Sequence, residues 1–213
     1  MIFNYKKVEK QHYPTKTTPT IITIPKMNFI AIRGCGDPNI ADGQYQNALK
    51  LLYPIAYTLK MSYKSDYQIN GFFEYVVPPL EGFWWQEDIK GVDLNNKDSF
   101  KWISMLRLPE FVSKDDFNWA IEVTSKKKKI DFSSIEFLEY EEGLCVQCLH
   151  LGPFEREQVT VDKMHQFMNE NGYELDINDS RFHHEIYLSD PRKSTPDKFK
   201  TIIRHPIRKD EAK

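Results

Sequence analysis

Two stretches of this chain carry the same order of hydrophobic patterns, strand then helix then two strands, and that repetition limits the folds open to it. In the first stretch, residues 27–33 (MNFIAIR) read as a strand that stops at the turn cluster Gly34-Cys35-Gly36-Asp37-Pro38-Asn39. Tyr45, Ala48, Leu49, Leu52, Ile55, Ala56 and Leu59 then recur at helical spacing. Pro54 lacks a backbone donor and is expected to kink or divide that helix. Strand-like segments follow at 71–77 and around 101–108. In the second stretch, residues 144–151 read as a strand and Gly152-Pro153 as a turn. Val161, Met164, Phe167 and Met168 mark a helix ended by Asn171-Gly172. Residues 182–188 and 199–207 are strands, with the Asp190-Pro191 turn between them.

Between the stretches, Ser113 to Asp116 form a helix N-cap, and Phe117, Ala120, Ile121 and Thr124 supply one apolar face. Lys126 to Lys129 close that helix, where cations complement the dipole; no aromatic residue is interleaved as a nucleic-acid surface would need. A shift of 111 residues lays Phe72-Phe73-Glu74-Tyr75-Val76-Val77 over His183-His184-Glu185-Ile186-Tyr187-Leu188 and makes the repeat an internal one. The expected class is α+β: tandem strand–helix–strand–strand repeats with pseudo-twofold symmetry and a ligand groove between the halves. Residues 1–24, polar and carrying Pro14 and Pro19, form an extended lead-in, and 25–208 form a single domain. Within it lie a first repeat (25–110), a helical insert (113–129) and a second repeat (142–208), with 209–213 as a tail.

Composition narrows the function classes. Twenty-nine Lys/Arg against 31 Asp/Glu give a net charge of −2, without the excess of positive charge that gripping a nucleic-acid backbone requires. The 14 Phe, 11 Tyr and 4 Trp supply aromatic surface for a core or for a pocket that takes flat ligands. No apolar run approaches the roughly 20 residues of a membrane helix, and the first ten residues do not form a signal peptide. A cytoplasmic protein without a membrane partner is expected. Cys145 and Cys148 form a C-x-x-C on a strand, where odd spacing turns the thiols to opposite faces, and there is no second C-x-x-C to complete a zinc site.

Period-two alternation puts Phe182, His184, Ile186 and Leu188 on one strand face, expected to pack on the helices. His183, Glu185 and Tyr187 share the other face, expected to look away from the helices into the groove. Glu185 and Tyr187 stand about 7 Å apart along the strand and can contact one bound molecule. Trp84 and Trp85, adjacent on an extended segment, point opposite ways, so one enters the core and the other the groove; Trp102 and Trp119 read as core. His183 and Glu185 offer two metal ligands, with no third nearby in sequence. The phosphate-loop, dinucleotide, G-x-S-x-G and H-E-x-x-H patterns are absent, and no metal or cofactor is expected.

These residues carry a resemblance. Gly34-Cys-Gly-Asp-Pro-Asn39, Leu52 to Met61 (LYPIAYTLKM) and Pro79-Leu-Glu-Gly-Phe-Trp-Trp85 resemble the first half of the GyrI-like small-molecule-binding proteins. His150-Leu-Gly-Pro-Phe-Glu155, His183 to Arg192 (HHEIYLSDPR) and Lys200-Thr-Ile-Ile-Arg204 resemble the second half. The resemblance implies a glutamate in the groove, at Glu185; Glu74 is its pseudo-repeat counterpart, which the motif does not single out. It also implies lipophilic aromatic small molecules as partners, held by Trp84, Trp85, His183, Glu185 and Tyr187. No DNA-reading segment precedes residue 25, so direct nucleic-acid binding is not expected. Some stand-alone members of the family hydrolyse cyclopropane-bearing DNA-alkylating compounds. By that resemblance Glu185 activates water and Tyr187 hydrogen-bonds the carbonyl where charge develops, with Trp85 preferred over Trp84 as the stacking wall. The alternatives are a non-catalytic sequestrant of aromatic cations and a gyrase-inhibitor-like interaction protein.

Overall fold

The computed structural model describes residues 2–89, 92–93, 95–190 and 193–211. Among these, four α-helices and seven strands follow in the order α1 (Tyr5–Val8), β1 (Thr20–Cys35), α2 (Gln44–Lys60), β2 (Leu80–Trp85), β3 (Lys101–Leu108), α3 (Lys114–Lys128), β4 (Glu136–Leu151), α4 (Gln158–Glu170), β5 (Tyr173–Leu175), β6 (His183–Tyr187) and β7 (Lys200–Lys209). Every strand pairing is antiparallel. The sheet order is β4-β1-β3-β2-β6-β7, and β7 also pairs with β4, so six strands close into a barrel-like ring with β5 on the end of β7. Closure leaves those six strands with a neighbour on both sides.

The two halves share one connectivity. In the first, β1 pairs with β3 and β3 with β2; in the second, β4 pairs with β7 and β7 with β6. They join where counterparts meet, β1 against β4 and β2 against β6. The expected order of elements is therefore present, but one strand sits elsewhere. Residues 71–77 contribute only an isolated bridge between Tyr75 and Phe3, and the strand beside β6 is Leu80–Trp85. The shift of 111 thus aligns a loop with β6, and Glu74 is not the positional counterpart of Glu185. Its carbonyl instead accepts the Phe3 amide at 2.8 Å.

Alternation along β1 feeds two separate cores. Ile30 and Ile32 pack outward with Leu52, Ile55 and Leu59 of α2, while Phe29 and Ala31 pack inward with Phe83, Ile103 and Met105. Each fully buried aliphatic side chain contributes roughly 1.5–3 kcal/mol of transfer free energy. Pro54 lies inside α2 without dividing it; its carbonyl accepts the Thr58 hydroxyl at 3.0 Å. On the second half, Val161, Met164 and Met168 of α4 cover Val146, Cys148 and Ile203. Helix α3 starts at a reciprocal capping box between Ser113 and Asp116 and ends at a left-handed Lys129. Gly172, at φ +78°, follows the last turn of α4, where a left-handed residue ends the helix.

The lead-in departs from expectation. It forms α1, and β1 begins at Thr20. Tyr5 and Tyr13 are buried with Tyr75, Leu149, Ile186 and Ile202. Arg107 binds Glu9 through two nitrogens, at 2.5 and 3.1 Å, and its guanidinium stands 4.5 Å from the Tyr5 ring centre. Pro191 and Arg192 of the expected turn, and Ala212 and Lys213 of the expected tail, lie outside the described residues. Among the described residues, no helix is long and apolar enough to cross a membrane.

Candidate functional site on the helix-covered face

Ring closure decides which way β6 points its side chains, and it reverses the expectation. His184 faces the barrel interior, where Nε2 meets Glu81 Oε2 at 3.0 Å and Nδ1 meets Glu142 Oε1 at 3.0 Å. Arg204 reaches the same Glu142 at 2.9 Å and contacts Gln147 Oε1 at 3.0 and 3.2 Å. Burial pushes the Glu142 carboxyl up, but the charges and hydrogen bonds of His184 and Arg204 outweigh it and hold the group at about 2. Burial disfavours the charged His184 imidazole, but Glu142 and Glu81 prevail and raise it. Ile186 packs on the same inward side, in the tyrosine cluster with Tyr5 and Tyr13.

His183, Glu185 and Tyr187 therefore lie on the outer face, between the flanks covered by α2 and α4, rather than away from the helices. The β2–β6 register pairs Gly82 with Glu185, Trp84 with His183 and Leu80 with Tyr187, which puts Trp84 on the same face. Tyr45 of α2 stands beside it, ring centres 5.3 Å apart. Trp84 Nε1 donates to Tyr187 Oη at 2.9 Å, and Phe154 meets the Tyr187 ring edge-on at 5.8 Å. The indole has room because residue 82 is glycine: a Cβ there would stand 2.7 Å from Trp84 Nε1. Trp85 points the other way and packs on Phe182 at 4.7 Å, so the preferred stacking residue is not on the face that carries Glu185.

Glu185 is 8% exposed. His183 Nε2 is 3.2 Å from Glu185 Oε1, and His183 Nδ1 is 2.7 Å from His205 Nε2. His205 Nδ1 in turn meets His165 Nε2 of α4 at 2.9 Å, so three imidazoles run in series toward Glu185. Burial, then the neighbouring His183 and His165, pull His205 well below its usual range, so this ring is neutral. Burial, then the negative Glu185, push the Tyr187 phenol well up and keep its proton in place. At the entry to α4, Glu157 is pushed well up by burial and by the charges of Glu185 and Glu155.

Sequence reasoning missed Glu157, His205, His165 and Tyr45. Glu157 stands 26 positions before His183 and His205 another 22 after it, so only the closed sheet brings them together. The one signal in the sequence was the glutamate-bearing segment after Gly152-Pro153, two residues short of Glu157.

The class is a closed antiparallel barrel flanked by helices, with a largely buried aromatic and acidic cluster on the face between α2 and α4. The chain belongs to the GyrI-like small-molecule-binding domain family, whose model matches residues 17–208. Two crystal structures described as a hydrolase from Listeria innocua are similar to it. One is 46% identical over 97% of this chain and all of that one, with a TM-score of 0.87; the other is 47% identical over 98% and all of that one, at 0.89. The C-terminal domain of EcmrR is 15% identical over 90% of this chain and 98% of that one, at a TM-score of 0.55, and shares the fold. No curated protein matches the chain.

Proposed function

We propose that the protein binds lipophilic aromatic small molecules on the outer face of β2 and β6 and hydrolyses electrophilic, cyclopropane-bearing members of that class. The observation that carries the reading is the grouping of Glu185, Tyr187 and Trp84 on one face, with the Tyr187 oxygen already accepting the Trp84 N–H. With its oxygen as the acceptor in that bond, the phenol keeps its own O–H as a donor. In the reaction, Glu185 takes a proton from water as the oxygen attacks the strained ring carbon. The ring carbon–carbon bond breaks, and its electron pair moves onto a conjugated carbonyl. Tyr187 donates a hydrogen bond to that oxygen, and the proton taken by Glu185 passes to the resulting oxyanion, so the product is neutral with the new alcohol on the ring carbon and Glu185 returns to its carboxylate form. The hydrolase description of relatives at 46–47% identity supports a catalytic role over binding alone.

Matching connectivity in the two halves supports an approximate twofold relation, with the junction of β2 and β6 as the floor of a groove between them. Incubation of the purified protein with a cyclopropane-bearing alkylator, followed by mass spectrometry, tests the reading. A product heavier by one water is expected. Unchanged substrate beside tight binding of cationic aromatic dyes would make the protein a sequestrant.

A further inference from the structure

We infer that Glu157, His183 and Glu185 form a buried site for one divalent transition-metal ion. Each offers one ligand atom, and the three atoms lie within 4.8 Å of one another. His183 Nε2 is 3.2 Å from Glu185 Oε1 and 3.8 Å from Glu157 Oε1. Nitrogen and oxygen ligands at about 2.0–2.2 Å from one ion stand roughly 3–3.5 Å apart, so the set closes on an ion when the two glutamate side chains turn toward each other.

Glu157 supplies the independent observation. Its residue is 3% exposed, and its Oε2 is buried without any hydrogen-bond partner. Its Oε1 is too far from His183 Nε2 for a hydrogen bond. A buried carboxyl beside a histidine, with one oxygen left without a hydrogen-bond partner, is costly unless something binds there. The second layer is also in place. His183 Nδ1 contacts His205, which contacts His165, and such a partner fixes which ring nitrogen is free to coordinate. With N–H groups running from His183 to His205 to His165, Nε2 presents a lone pair toward Glu157 and Glu185, and a cation that displaces the proton of Glu157 is bound by all three groups. The reverse orientation of the same series puts a proton on Nε2 toward Glu185, so the three rings switch tautomer together when metal enters, with no net change in their protons.

One imidazole and two carboxylates favour Zn²⁺, Mn²⁺ or Fe²⁺ over Mg²⁺ or Ca²⁺. Three protein ligands leave coordination positions for water beside the face that carries Tyr187. The site goes beyond the small-molecule reading, although both use Glu185, and the hydrolysis proposed above involves no metal.

The test is titration of EDTA-stripped, desalted protein with ZnCl₂ and MnCl₂ by calorimetry, in a Cys35→Ser background that removes the exposed thiol. One ion per chain is expected, with a rise in melting temperature, and Glu157→Gln should weaken binding at least 10-fold while the unloaded variant melts no lower than its parent. Loading with Co²⁺ reads the ligands in the unmutated chain, where visible bands of an oxygen- and nitrogen-ligated ion are expected. Absence of stoichiometric binding, a sulfur-ligated spectrum, or undiminished binding by Glu157→Gln would overturn the site. Dye binding measured in EDTA reports on the small-molecule reading separately.

Discussion

Trp84 and Tyr187, 103 residues apart in sequence, are tied on the outer face of the barrel by an indole N–H donated to a phenol oxygen at 2.9 Å. The bond depends on the absent side chain of Gly82, which pairs with Glu185 in the register between β2 and β6. It fixes Tyr187 beside Trp84 on the face that also carries Glu185. The proposed binding of an aromatic ring on this face uses Trp84 and Tyr187 together.

Gly82→Ala should therefore break the Trp84–Tyr187 pair. The new Cβ would stand 2.7 Å from Trp84 Nε1 and 3.2 Å from Tyr187 Oη, so the indole must move. Overpacking of this kind costs about 1–3 kcal/mol. Chemical denaturation should show that loss, and titration with an aromatic dye should show an affinity at least 10-fold lower.

The two tryptophans should separate cleanly. Trp84→Phe removes the donor to Tyr187 and should weaken dye binding and alkylator turnover. Trp85→Phe changes only the inward packing against Phe182, so it should lower the melting temperature and leave dye affinity within about twofold. Equal effects on affinity would place the ligand elsewhere.

The interior network predicts the pH dependence of stability. Glu142 is held at about 2 in the fold against an ordinary 4.5, so its contribution is complete above 4.5 and lost as pH falls toward 2. His184 is raised from 6.5, so its contribution is complete below 6.5 and lost as pH rises through the higher folded value. Stability from this pair should peak between about 4.5 and 6.5 in urea melts across pH. Glu142→Gln leaves Arg204 and His184 short of a counter-charge, should cost about 3–5 kcal/mol, and should flatten the acid limb.

Helices α2, α3 and α4 and strands β3, β6 and β7 were legible because their apolar residues recur at a fixed period or fall between clear turns. β2 was not, because Gly82 and the flanking prolines read as loop, and the glycine is there to admit an indole rather than to end a strand. The faces of β6 were inverted for a different reason. Alternation separates two faces without saying which one takes the helices, and in a closed barrel the other face is buried too. His184 was thus grouped with apolar neighbours, although it bridges two carboxylates brought from β2 and β4. Glu185, Tyr187 and His183 were found together because period two alone links them. Glu157 and His205 join them only through the α4 entry and β7, contacts that no local spacing records.

The measurement that bears most directly on the proposed function is Glu185→Gln, read in turnover of a cyclopropane-bearing alkylator and in affinity for one neutral and one cationic aromatic dye. The change keeps shape and hydrogen bonding and removes the base. The account predicts neutral-dye affinity within about threefold of the parent and turnover lower by ~10²–10⁴-fold, as for loss of a general base. Turnover equal to that of the parent, with both dyes bound as before, would contradict it and leave Glu185 a structural member of the β6 strand.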